Sequence, residues 1–158
     1  MRDTVLPTLS RWANYSRLWL AVSGVLALSG NSGARRGALR GLMALSVASF
    51  STNVVLKSLV RRPRPAVDAI PAVRRLRRPP ITTSFPSGHS ASAAAFTTGV
   101  AIEQPLLAVP VAVLASGVAT SRVVTGAHYR SDVFAGVTIG IAAGVLTLRW
   151  WPRTSPSS

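Results

Sequence analysis

Apolar residues along this chain gather into long runs separated by polar or proline-rich breaks, rather than alternating with polar positions. The hydrocarbon core of a bilayer needs about 20 mostly apolar residues per spanning helix, with a lower limit near 17. On that scale the pattern predicts spans centred on 18–30 and over about 38–60, 87–102, 105–124 and 132–151, the first being the shortest. The expected fold class is therefore all-α, a polytopic membrane helix bundle of about five transmembrane helices. Many positions in these runs are Ala, Gly, Ser or Thr, which let helices approach closely, so a packed bundle is expected rather than separate anchors. Pro110 predicts a kink in the fourth helix.

The breaks between the runs carry their own information. Residues 1–17 are polar and basic, with Trp12, Tyr15 and Trp19 near the entry to the first run, which suits an interfacial helix on the membrane surface. A signal peptide is the competing reading, but three arginines spread over a long leading region argue against cleavage. The longest break, 61–85, holds seven arginines (61, 62, 64, 74, 75, 77, 78) and prolines at 63, 65, 71, 79 and 80, so neither a span nor a regular helix is expected there. The resulting organisation is an interfacial segment at 1–17, one transmembrane domain at 18–151 and a tail at 152–158. A chain of 158 residues suits one domain.

Composition sharpens the class. Eighteen Lys and Arg face only four Asp and Glu, a net charge of +14. Such an excess would suit nucleic acid, but here the charges lie between long apolar runs, as in a membrane protein, and no nucleic-acid partner is expected. There is no cysteine, which excludes disulfides, thiolate chemistry and cysteine zinc sites. Counting spans puts Arg2, Arg11, Arg17, Lys57, the seven loop arginines, Arg122 and Arg130 on one face. Arg35, Arg36, Arg40, Arg149 and Arg153 fall on the other. Positive-inside bias then turns the richer face toward the cytoplasm of a bacterial cell membrane.

The candidate chemistry lies on that richer face. Only two histidines occur, His89 in Pro86-Ser87-Gly88-His89 and His128 in the stretch from Ser121 to Asp132, both at span boundaries. A lone histidine is more often structural than catalytic. Two of them beside arginines on one face, together with Lys57, the only lysine, are harder to read that way. Charge at membrane depth is costly, so its default reading is functional. Arg64 and Arg122 can hold phosphate oxygens bidentately and Lys57 can add a point charge. The Ser87-Gly88 turn opens a helix whose backbone amides suit an anion. No metal or cofactor is required by such a site. His128 and Asp132 are four residues apart and meet on one face if the stretch is helical. That pairing would orient a nucleophilic imidazole, leaving His89 as general acid and base. A carboxylate at a helix start is also often a cap.

These residues fall in a pattern that resembles the type 2 phosphatidic acid phosphatase (PAP2) superfamily. Lys57 to Pro65 reads KSLVRRPRP, matching KxxxxxxRP; Pro86 to His89 reads PSGH; Ser121 to Asp132 reads SRVVTGAHYRSD, matching SRxxxxxHxxxD. The resemblance covers 38–151. It implies a phosphohistidine on His128, acid–base work by His89, orientation by Asp132, and phosphate binding by Lys57, Arg64 and Arg122. Many membrane members have six spanning helices, one more than counted here. The stretch ITTSFPSGHSASAAAFTTGVAIE, with the RRLRRPP ahead of it, also resembles small actinobacterial lipid phosphatases, decaprenylphosphoryl-5-phosphoribose phosphatase among them. The expected partners are a lipid-linked phosphate substrate and membrane lipids; the oligomeric state is left open. A cytoplasmic site favours decaprenylphosphoryl-5-phosphoribose or phosphatidylglycerophosphate over undecaprenyl pyrophosphate. Phosphatidic acid, and a phosphotransferase passing the phosphate to an alcohol, are the remaining alternatives.

Overall fold

The computed structural model describes residues 16–66, 71 and 82–153. The expected interfacial segment, the distal tail and Arg74, Arg75, Arg77 and Arg78 therefore lie outside the described residues, apart from 16–17 and 152–153. The described chain is helical throughout its regular parts: α1 (Arg17–Leu28), α2 (Ser32–Leu59), α3 (Gly88–Glu103), α4 (Pro105–Val124) and α5 (Arg130–Trp150). Local signals set the boundaries. Asn31 caps α2 by accepting from the Ala34 amide at 3.0 Å. Pro105 opens α4, where a missing N–H costs nothing. Pro110 lies inside α4, which is continuous from Pro105 to Val124.

Among the described residues three helices, α2, α4 and α5, are long and apolar enough to cross a membrane. The 16-residue α3 is shorter and largely buried, packed on α2, α4 and α5. The expected first span is only partly met. The 12 residues of α1 extend about 18 Å, short of the roughly 30 Å hydrocarbon core. Trp19, near its start, stacks at 5.2 Å on Phe96, halfway along α3. The α1 helix thus runs from mid-bundle to the end at which α2 begins. The α2–α3 and α4–α5 connections share the opposite end whatever α1 does, and the site lies there.

Small residues set the distance between α3 and α5. Gly136, Gly140 and Gly144 recur once per turn on the face of α5 that meets α3. A Cβ on Gly140 would lie 2.3 Å from the Ala91 carbonyl oxygen and 2.8 Å from the Ala94 Cβ, so the backbones themselves would have to part. Gly140→Leu is therefore expected to destabilise the bundle by about 3 kcal/mol or more. Thermal unfolding in detergent should detect it, with Gly24→Leu, where nothing lies within 4 Å, staying near wild type.

Candidate active site

Each sequence-predicted residue reaches the mouth through a specific local device. The last part of α2 contains a π-helical stretch, Ser51–Leu56, immediately before Lys57. Lys57 Nζ donates to Asn53 Oδ1 at 2.9 Å. Asn53 also lies where a Cβ on Gly88 would be, at 2.7 Å, so glycine at 88 lets α2 and the start of α3 touch. Beyond α2 the outgoing strand of loop pairs with the returning one. The Ser84 amide donates to the Arg62 carbonyl at 2.9 Å and Ser84 Oγ to the Pro63 carbonyl at 3.0 Å.

At the end of α4, Gly126 takes φ +67°, a left-handed conformation that suits glycine and ends the helix. The chain doubles back there, and the His128 amide donates to the Arg122 carbonyl at 3.1 Å. This reversal points the last turn of α4 and His128 toward one mouth. Asp132 is the third residue of α5 and completes a capping box with Tyr129, whose amide donates to Asp132 Oδ2 at 2.9 Å.

His128 is buried, and its Nδ1 lies 2.6 Å from the Ser84 carbonyl oxygen. A carbonyl can only accept, so Nδ1 carries the proton and Nε2 keeps its lone pair. Arg64 Nη1 lies 3.4 Å from that Nε2 and also donates to the Ala127 carbonyl. Other donors of the same guanidinium go to the Thr82 and Thr83 carbonyls at 2.7 and 3.2 Å, tying the returning loop to the His128 turn. Burial first, and the Arg64 charge second, lower the His128 pKa to about 4. The imidazole is therefore neutral near pH 7.

The sequence puts His128 and Asp132 on one face only if the stretch between them is helical. The structure instead puts His128 ahead of α5, with Nδ1 at 3.6 Å from Asp132 Oδ2, farther than the Ser84 carbonyl. Asp132 is fully buried and serves as cap, as acceptor for Arg62 Nη1 at 2.8 Å, and as a charge beside His128. Arg62 also donates to Ser131 Oγ at 2.8 Å and lies 4.2 Å over the Tyr129 ring. The expected anion-facing amide of Ser87 is corrected too. It donates to the Asp132 carbonyl at 3.0 Å, and the Ser87 side chain turns inward to Ser90, leaving Gly88 to open α3.

Half-buried His89 follows, and Arg122, His128, Lys57 and Arg64 all lie close enough to act on it electrostatically. The sequence-predicted residues thus converge on one mouth. Sequence reasoning missed three contributors: the Ser84 carbonyl, Arg62 and Asn53. Asn53 alone carried a usable signal, standing four residues before Lys57 on one helix.

The family model described as the PAP2 superfamily matches residues 38–156. The chain belongs to the PAP2 superfamily. Among curated relatives it is 34% identical over 134 residues to decaprenylphosphoryl-5-phosphoribose phosphatase of Mycolicibacterium smegmatis, covering 81% of this chain and 67% of that one. It is 43% identical over 95 residues to the Mycobacterium tuberculosis protein of that name, covering 59% of this chain and 50% of that one. The chain thus spans about half the length of that relative. Two solved structures share the fold. Aquifex aeolicus LpxE superposes with a TM-score of 0.72 at 23% identity, over 93% of this chain and 85% of that one. The phosphatidylglycerolphosphate phosphatase of Bacillus subtilis gives 0.69 at 22% identity, over 99% and 79%. The protein is a multi-pass bacterial membrane protein of a phosphatase family.

Proposed function

We propose that this protein hydrolyses the phosphomonoester of a lipid-linked substrate through a phosphohistidine on His128. The observation that carries the reading is the neutral His128, its Nδ1 proton held by the Ser84 carbonyl, with its Nε2 beside the Arg64 guanidinium. In the first step Nε2 attacks phosphorus, the P–O bond to the lipid breaks, and His89 protonates the departing oxygen. In the second, His89 takes a proton from water, the oxygen attacks phosphorus, and the P–N bond breaks to restore the Nε2 lone pair. Lys57, Arg64 and Arg122 neutralise the transferring phosphoryl group. Gly88 opens the helix start toward it, Ser87 holds that turn in shape, and Asp132 steadies the His128 turn. A cluster of three cations repels a divalent metal, so turnover should survive chelation.

Decaprenylphosphoryl-5-phosphoribose is the substrate this reading favours, supported by the relatives with that name. The mouth faces the cytoplasm in the same reading. Leaving out the three N-terminal arginines, span counting in the sequence still assigns ten cations to the site side against five to the other. Phosphate release from a panel of purified lipid phosphates tests both points. Preference for the phosphoribose lipid, with inhibition by vanadate, is the expected result; activity confined to undecaprenyl pyrophosphate would sink the substrate and the orientation together.

A further inference from the structure

Arg62 stands two residues before Arg64, and each of them precedes a proline. A residue before proline is steered into extended backbone, where positions i and i+2 share one side of the chain. Both side chains reach the turn that carries His128. Arg64 meets its beginning at the Ala127 carbonyl, and Arg62 meets its end at Ser131 Oγ and Asp132 Oδ1, each at 2.8 Å. The phosphoryl-transfer steps above use Arg64 and leave Arg62 without a task. Yet Arg62 grips the surroundings of the nucleophile with its main chain and its side chain together. Its carbonyl accepts the Ser84 amide at 2.9 Å, and the Ser84 carbonyl in turn accepts the His128 Nδ1 proton at 2.6 Å. Its guanidinium bonds Asp132, whose Oδ2 accepts the amide of Tyr129, the residue after His128, at 2.9 Å.

We propose that Arg62 is a positioning residue, acting through Asp132 to hold His128 in line for attack and to offset the carboxylate charge beside it. The inference rests on the phosphohistidine reading above. Geometry favours this role over phosphate binding, because Nη1 is engaged by Ser131 and Asp132 and the guanidinium carbon lies 4.2 Å over the Tyr129 ring. The pair joins a carboxylate with no exposure to a cation whose side chain is 37% exposed. A buried charge of that kind depends on its counter-ion. Charge supplies the second half of the role. Asp132 favours the His128 imidazolium, whereas burial, Arg64 and Lys57 oppose it. Arg122 and His89 are the other titratable groups at the mouth. Without Arg62 the Asp132 charge acts on His128 uncompensated, and the imidazolium forms more easily.

Arg62→Gln removes the charge, and Arg62→Lys keeps it without the planar fork. In purified full-length protein with p-nitrophenyl phosphate, Arg62→Gln is expected to lower kcat about tenfold, with KM and the vanadate inhibition constant within about threefold of wild type. The acid limb of kcat/KM should move up by about half a pH unit or more, and Arg62→Lys should return it close to wild type. In a double-mutant cycle, adding Arg62→Gln to Asp132→Asn should cost less than about twofold, because the carboxylate that Arg62 serves is already neutral. Vanadate inhibition that weakens in step with kcat would make Arg62 a phosphate ligand and overturn the proposal. Additive losses in the cycle, an unchanged kcat or an unmoved acid limb would overturn it equally. NMR titration of labelled imidazoles gives a readout without turnover. The His128 signal, assigned by its disappearance in His128→Ala, should titrate at higher pH in Arg62→Gln than in wild type, and an unshifted titration refutes the role. If wild-type protein hydrolyses no phosphomonoester, the phosphatase reading fails while this titration still decides whether Arg62 offsets Asp132 beside His128.

Discussion

His128→Ala is expected to lower turnover by about 10⁴-fold or more, because it removes the attacking atom rather than a supporting contact. The loss should appear as missing phosphoenzyme after rapid quench under alkaline conditions, which preserve phosphohistidine. His89→Ala should behave differently. With p-nitrophenyl phosphate, whose leaving group needs little protonation, the first step survives and the second lacks its base, so phosphohistidine accumulates. An unphosphorylated, active His128→Ala protein would remove His128 from the mechanism. Asp132→Asn is expected to cost less than His128→Ala, since the Ser84 carbonyl continues to hold the Nδ1 proton. The same geometry fixes a pH dependence. Burial and Arg64 lower the His128 pKa from 6.5 to about 4, so the neutral nucleophile persists through pH 5 and is lost as pH falls through about 4. For stability the sign follows from proton counts: between about 4 and 6.5 the unfolded chain binds a proton that the folded chain does not, so stability falls as pH falls across that window. With only two histidines in the chain, an NMR titration of labelled imidazoles can resolve His128 directly.

How far the sequence could foresee this depends on the kind of feature. The α4 helix was legible to the residue because Pro105 marks its start and an unbroken apolar run follows. The three motif segments were legible because side-chain chemistry at fixed spacing is written in letters. The partner of His128 was not, since the deciding atom is a backbone carbonyl and every residue has one. Arg62 was hidden among seven loop arginines. Only the fold shows that it, and not Arg61, reaches Asp132 and stacks over Tyr129. The depth of α1 was less legible, because apolar composition reports what touches lipid or core, not how deep a helix begins; here Trp19 meets Phe96.

At the end of the bundle away from the site, Glu103→Ala is expected to cost roughly 3–5 kcal/mol of stability. Arg40 is fully buried there, and its partner Glu103 is 7% exposed, with Nε and Nη2 reaching Oε1 at 2.7 and 2.6 Å. The guanidinium also donates to Thr147 Oγ1 at 3.1 Å and the Trp151 carbonyl at 2.6 Å, so one side chain of α2 fastens α3 and the end of α5. Removing the carboxylate leaves a desolvated positive charge with only neutral acceptors. Arg36 adds a second bond to Glu103 at 3.1 Å but, at 27% exposed, can return to water. Replacing both Arg40 and Glu103 by methionine should recover part of the loss, because a buried pair exchanged for packed apolar groups is often near neutral. Thermal unfolding in detergent measures each variant. The cluster lies across the bundle from His128, so kcat at a temperature where Glu103→Ala is still folded should remain close to wild type. A large drop in kcat without a shift in unfolding would contradict a purely structural clamp and couple the two ends of the bundle through α3, which carries His89 at one end and Glu103 at the other.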